Sequence, residues 1–189
     1  MMNAPRTLAV CILQSLIFTW VAGAAPLPAT PSNSIIADQT QPFVSEFGFK
    51  MSSANTDWKL MPKPADSKYM VTLYQSPQAY KSLSATLTVR LDHLNEKMET
   101  QDYVKKWLKR YPRFGFEVLG AKNFEHKGHT GYVIDLLNKE NERQLRQVVF
   151  LKDKAAIVMT CRDHIDNFKN SLKSCNDIIR TFEWTEANF

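Results

Sequence analysis

The sequence predicts an α+β fold with an antiparallel sheet of about six or seven strands, one mid-chain helix and a C-terminal helix packed on the sheet. Two observations predict it. Apolar residues alternate along segments between residues 46 and 161, which is typical of half-buried strands. Two other segments change to helical spacing, one after Thr100 and one after residue 162. The polar turn Lys152-Asp153-Lys154 also joins two apolar segments as a hairpin.

The strands follow from this alternation. In the first, Phe47, Phe49 and Met51 lie on one side, and the second ends at Pro62. The next two are rich in β-branched and aromatic residues. The strand-like segments, from which the six or seven strands are drawn, are residues 46–52, 58–61, 69–75, 84–94, 116–124, 130–137, 144–151 and 155–161.

The mid-chain helix is predicted after the fourth strand, with Thr100 as its N-cap and Pro112 and Gly115 as its stop. We expect Tyr103 and Trp107 to anchor its apolar stripe in the core, together with Val104, Leu108 and Tyr111. The C-terminal helix closes on residues 181–184. Its apolar face contains Ile165, Phe168, Leu172, Cys175, Ile178, Ile179 and Phe182.

The first residues have the pattern of a secretory signal peptide. Arg6 precedes the apolar stretch 7–21, and Ala22-Gly23-Ala24 forms a small-residue cleavage site. We therefore expect a signal peptide at residues 1–24, a flexible leader rich in Pro, Ser and Thr at 25–42, and one domain at 43–189. This predicts an exported protein, periplasmic or secreted, whose mature chain has no transmembrane segment.

The charge of the chain is modestly positive. The full sequence carries +5, and removing Arg6 with the signal peptide leaves +4. Such a surplus suits acidic partners, whereas a dedicated nucleic-acid binder would carry a larger and more clustered excess. We therefore expect no nucleic-acid partner.

Two cysteines, Cys161 and Cys175, remain after Cys11 leaves with the signal peptide. In an exported protein such a pair is typical of a disulfide, although two buried thiols are the alternative. We expect Cys161 to end a strand and Cys175 to lie inside the following helix. If that helix began at once, about 15 Å would separate the two cysteines along its axis. A disulfide thus requires an irregular segment from residue 163 to about 168, or a helix that crosses the strand end.

The outward face of the mid-chain helix is basic. We see no acidic residue on it, so its cations should repel one another. A solvated face is one interpretation; the other is a docking surface for an acidic protein, an anionic glycan or lipid head groups. The face comprises Lys105, Lys106, Lys109 and Arg110, with Arg113 just beyond.

The remaining candidate chemistry involves histidines. His126 and His129 flank a predicted hairpin turn beside Glu125, and these side chains could hold a surface divalent metal such as zinc. A polar loop is the alternative. His93 and His164 are isolated, and we expect both at the surface or at helix caps. No catalytic motif such as G-x-S-x-G is present, so we expect no enzyme activity and no other cofactor.

Three segments resemble the Mog1/PsbP-like superfamily, which includes DcrB-type envelope proteins. They are Phe47-Gly48-Phe49 followed by Trp58, the central meander from Gly131 to Thr160, and the terminal stretch from Asn176 to Trp184. The resemblance implies an α+β fold and a binding or accessory role, with no shared catalytic residues. The chain departs from the lipoprotein members because no lipobox precedes Cys11, and many relatives lack the Cys161/Cys175 pair.

The sequence thus predicts an exported, non-catalytic binding or accessory protein that acts by surface recognition, either in the periplasm or as a secreted factor of a Gram-negative bacterium. A module that binds a metal or a small molecule is the alternative, and an unrecognised hydrolase is a third hypothesis.

Overall fold

The structure is a computed structural model that describes residues 41–185. The predicted signal peptide and the predicted leader up to residue 40 lie outside the described residues, as do residues 186–189. The elements are β1 (Phe43–Ser45), β2 (Phe49–Met51), β3 (Lys59–Met61), β4 (Met70–Tyr80), β5 (Leu83–His93), α1 (Thr100–Leu108), a short 3₁₀ helix (Tyr111–Phe114), β6 (Glu117–His126), β7 (His129–Asn138), β8 (Arg143–Lys152), β9 (Ala155–His164), α2 (Phe168–Arg180) and β10 (Glu183–Trp184).

A seven-stranded antiparallel sheet forms the centre, in the order β3-β4-β5-β9-β8-β7-β6. The predicted α+β fold is therefore confirmed. A second sheet of three strands, in the order β1-β2-β10, was not predicted. Within the described residues, neither α1 nor α2 has the length and apolar run of a membrane-spanning helix.

The small sheet exists because the first predicted strand is broken. Gly48 has φ +73°, a left-handed conformation that glycine adopts without strain, and its N–H donates to the Ser45 carbonyl at 3.2 Å. The chain reverses there, so β1 and β2 pair as a hairpin. The prediction of one strand over residues 46–52 is wrong, and five strands precede α1 instead of four.

The central sheet is covered on both faces. Successive side chains along a strand point to opposite faces, and apolar side chains on each face pack into a core. In β9, Ile157, Met159 and Cys161 face the core under α2, whereas Ala156 and Val158 face the core under α1. The predicted packing of the C-terminal helix on the sheet is confirmed by contacts of α2 with β5 and β9.

The mid-chain helix is shorter than the sequence predicts. It ends at Leu108, and the 3₁₀ helix around Pro112 follows as a separate element that Gly115 closes with φ +78°. The predicted N-cap is also wrong, since Thr100 is already helical. Glu99 is the cap because its backbone is extended and its carbonyl accepts the Tyr103 N–H at 3.1 Å.

The disulfide between Cys161 and Cys175 is present, with the two Cα atoms 6.1 Å apart. The expectation that Cys161 ends a strand is wrong, because β9 continues to His164 in pairing with Arg143. A three-residue turn then separates β9 from α2, and α2 runs back over β9. This reversal supplies the geometry that the bridge requires, and both cysteines lie in the core.

We predict that reducing this disulfide weakens the fold. In the chain-entropy model, a closed loop of about 15 residues stabilises the folded state by ~3 kcal/mol. The double variant Cys161→Ala/Cys175→Ala should therefore lose ~2–4 kcal/mol of unfolding free energy in urea denaturation. Equal unfolding free energies of the oxidised protein and the variant would show that the disulfide does not stabilise the fold.

A second prediction concerns Gly131, which lies opposite Phe124 and Phe150 in the sheet. A Cβ there would come within 2.7 Å of a Phe150 ring carbon and 2.8 Å of the Phe124 ring. Gly131→Ala should lower the unfolding free energy by ~1–3 kcal/mol, because the rings must move apart.

Gly120→Ala is the matched control, since no heavy atom beyond its two chain neighbours lies within 4 Å of a Cβ at that position. It should change the unfolding free energy by less than ~0.5 kcal/mol in the same chemical denaturation. If both variants lose equal stability, the ring contacts are not the cause.

Candidate functional site

The predicted basic residues lie outward on α1 and the 3₁₀ helix. Tyr103 and Val104 are buried against the sheet, and Trp107 packs beside them, so the anchoring role of Tyr103 and Trp107 is confirmed. The remaining sides of these elements carry exposed cations. We call the set the basic surface: Lys105, Lys106, Lys109, Arg110 and Arg113.

One carboxylate, which the sequence analysis missed, lies on the same side of α1 as the basic surface. Asp102 lies 3.3 Å from Lys105, one helical turn earlier, so the expectation of no acidic residue on this face is wrong. Within residues 41–185, no salt bridge involves Lys106, Lys109, Arg110 or Arg113. Most of the positive charge on the basic surface is therefore left for solvent or a partner.

A partly buried polar network fixes α1 to the sheet. The Tyr103 hydroxyl donates to Asp92, which also accepts from the Arg90 guanidinium at 3.0 Å. Burial raises the pKa of Tyr103 and raises that of Tyr111 to about 12, so both hydroxyls remain protonated donors. Because these bonds fix the inner side of α1, its outer side is held in a defined orientation.

An indole ring positions one cation of the basic surface. The guanidinium of Arg110 lies 5.7 Å from the centre of the Trp107 ring, and that of Arg90 lies 5.2 Å from it. Such cation–π contacts restrict the guanidinium while leaving its donors available. Phe114, next to Arg113, is 59% exposed. The surface thus combines ordered arginine with an exposed aromatic side chain.

The two histidines of the predicted metal site lie together at the β6–β7 turn. His126 and His129 face each other across a tight turn in which Lys127 and Gly128 both have positive φ. His126 Nε2 lies 3.1 Å from the Phe182 carbonyl, and Glu125 projects from the opposite face of the strand. Residues 41–185 contain no group of three or more His, Cys, Asp or Glu in a metal-binding arrangement.

His164 differs from its sequence prediction. It is buried with only 3% exposure, whereas His93 is exposed as expected. The Asp166 N–H donates to His164 Nδ1 at 3.2 Å, and Nε2 lies 3.1 Å from Glu142. Because Nδ1 accepts a hydrogen bond, Nε2 carries the hydrogen and donates to the carboxylate. The ring therefore links the starts of β8 and α2.

A groove that the sequence analysis missed runs beside the small sheet. One depression of about 520 Å³ lies between β1 and the start of β4, and a second of about 450 Å³ lies beside the β8–β9 turn. Phe47, Leu91 and His93 line both. We call the two together the lysine-rimmed groove. Its lysines are Lys63, Lys68, Lys97, Lys152 and Lys154.

Comparison with solved structures places this architecture among known folds. The chain is similar to cyanobacterial PsbP (CyanoP) of Synechocystis sp. PCC 6803, with a TM-score of 0.56 and 14% identity over 85% of this chain and 99% of that one. LpqN of Mycobacterium tuberculosis, which is involved in cell envelope biogenesis, has a TM-score of 0.56 and 17% identity over 79% and 87%. The chain has a PsbP-like fold.

Another structural neighbour is PA94 of Pseudomonas aeruginosa, a protein of unknown function. Its TM-score is 0.54, with 15% identity over 66% of this chain and 94% of that one. No protein-family model matches the sequence, and no curated protein matches it significantly. At these identities the likeness shows the fold alone.

One end of the PsbP-like domain is held by an ion-pair cluster. Glu183 in β10 pairs with Lys50 of β2 at 2.8 Å and with Lys127 of the β6–β7 turn. Hydrogen bonds from Lys127 and then Lys50 lower the pKa of Glu183 to about 2. The cluster connects the central sheet to the small sheet, next to Trp184 at the end of the groove.

We predict that Glu183 titrates near pH 2 in a carboxyl NMR experiment. Its folded pKa is lower than the unfolded value of about 4.3, so the ion pairs stabilise the fold above that pH and are lost as pH falls toward 2. Lys127→Met should raise the Glu183 pKa, whereas Lys122→Met on β6 should not. A wild-type pKa near 4.3 would contradict the cluster.

Proposed function

We propose that this chain is an exported, non-catalytic accessory protein of the Mog1/PsbP-like group that binds an acidic region of a partner protein through the basic surface. One observation carries the proposal. The basic surface presents four exposed cations without a salt bridge in residues 41–185, on a helix whose inner side is held by hydrogen bonds. Charge of one sign on an ordered surface steers and orients an oppositely charged partner.

Export is supported by features at both ends of the chain. The apolar stretch at residues 7–21, followed by Ala22-Gly23-Ala24, is typical of a cleaved signal peptide. The disulfide of Cys161 with Cys175 suits an oxidising compartment, such as the periplasm or the extracellular space. The envelope role of the neighbour LpqN is in keeping with such a location.

Recognition, not catalysis, is the proposed activity. Among the described residues, the buried histidine nearest to carboxylates is His164, and both its ring nitrogens are engaged in hydrogen bonds. A general base needs a nitrogen free to accept the substrate proton. The contacts of His164 therefore support a structural role.

A protein is favoured over a glycan or a lipid head group as the partner. The basic surface places Arg113 beside the exposed ring of Phe114, and it holds Arg110 against Trp107. Arginine and aromatic residues are enriched at the energetic centres of protein–protein interfaces. We infer that an acidic segment with an apolar residue would fit this combination.

The experiment is affinity capture from envelope extract with matched charge variants. The test variant is Lys106→Glu/Lys109→Glu. The control is Lys59→Glu/Lys169→Glu, which makes the same charge change at exposed lysines of β3 and α2. We expect the wild type to capture a protein with an acidic segment. The test variant should capture at least about tenfold less of it, whereas the control should capture as much as the wild type. Circular dichroism checks that all forms are folded.

Two results would overturn the proposal. Equal capture by the wild type and both variants would show that the basic surface is only solvated. Equal loss in both variants would show that total charge decides capture and that the position of the lysines does not matter.

A further inference from the structure

The lysine-rimmed groove has an apolar floor. Phe47 and Leu91 lie where its two depressions join, and Trp184 lies at the far end. Val44 and Tyr69, at the near end, are 65% and 60% exposed. Apolar side chains left so open to water and gathered in one concave region are typical of a binding site.

The charge around this floor is positive. Two carboxylates line the groove against its five lysines: Glu46 in the first depression, and Asp153 in the second, which is neutralised by Lys97 at 2.7 Å. In the described part of the chain, Lys63, Lys68, Lys152 and Lys154 form no salt bridge. Two of these lie near aromatic rings, since Lys68 is 5.7 Å from the Tyr69 ring centre and Lys152 is 5.4 Å from that of Trp184. The rim therefore has ammonium groups available for an anion.

The size and shape of the groove suit a small elongated ligand. Each depression lies within the range of about 300–1,000 Å³ that is usual for small-molecule sites. The two share Phe47, Leu91 and His93, so one ligand could extend from the first into the second. A bilayer surface would need a convex apolar face instead of a concave one.

We propose that the lysine-rimmed groove binds a long-chain carboxylate, such as a fatty acid, with the acyl chain along Phe47 and Leu91 and the carboxylate at the rim lysines. The apolar floor recognises the chain by removing it from water. The ammonium groups recognise the head by charge-assisted hydrogen bonds. This site is separate from the basic surface and does not depend on the protein partner proposed for it.

The test titrates the purified protein with decanoate and, separately, with uncharged decanol, both below the concentration at which decanoate forms micelles. Binding is followed by amide chemical shifts in NMR. Decanoate should shift residues of the groove, such as Val44, Leu91 and Ala155, and decanol should bind at least about tenfold more weakly. Lys68→Glu/Lys154→Glu should weaken decanoate binding about tenfold, because the rim then repels the carboxylate.

The variant Lys59→Glu/Lys169→Glu is again the control, and it should bind decanoate as the wild type does. A second variant, Val44→Asp, places a charge on the exposed apolar end of the groove without replacing a buried residue. It should also weaken binding. The proposal is overturned if decanoate shifts amides elsewhere, if decanol binds equally well, or if the control loses as much affinity as the rim variant. Capture of an acidic peptide by the groove in place of decanoate would likewise overturn it.

Discussion

The packing of α2 across β5 and β9 determines where the small sheet and the end of the groove lie. It covers one face of the central sheet, and the disulfide of Cys161 with Cys175 fixes it there. Phe182 follows the end of α2, and its ring stacks on that of Phe150 with 4.9 Å between the ring centres. Because Phe182 is fixed, the next two residues pair with β2 and complete the small sheet. The far wall of the groove, at Trp184, is a consequence of this placement.

The two proposed binding regions differ in how they are built. The basic surface rests on two short helical elements that hydrogen bonds and a cation–π contact attach to the sheet. The lysine-rimmed groove instead lies between loops and strand ends, as ligand sites on rigid scaffolds often do. The basic surface presents charged side chains on helical elements, whereas the lysine-rimmed groove combines an apolar floor with a charged rim. This difference is why we assign an acidic protein to one and an amphiphilic anion to the other.

Much of the fold could be predicted from periodicity, because alternation and helical spacing are local properties of the sequence. The hairpin at Lys152–Lys154 and the apolar side of α2 are examples. The break at Gly48 was missed because the residues around it keep their alternation while the backbone reverses. The burial of His164 was missed because its partner Glu142 is brought to it only by strand pairing.

The candidate sites were predictable to different degrees. The basic surface lies within nine consecutive positions, so helical spacing alone located it, although not its division between α1 and the 3₁₀ helix. The groove could not be found in this way. Its lining comes from several distant segments, and Phe47 and Leu91 look like ordinary core residues in their strands. Among the residues that line the groove, only the lysines of the Lys152–Lys154 turn stand close enough together in the sequence to indicate a charged site.

We propose that one domain carries two separate recognition surfaces. A pair of amide shift maps of the same protein tests it most directly, one with decanoate and one with a poly-glutamate peptide. We expect two sets of shifted residues that do not overlap, with the groove responding to decanoate and residues 105–113 responding to the peptide. A single shared set of shifted residues, whichever surface it marks, would show that the two recognition surfaces are not separate.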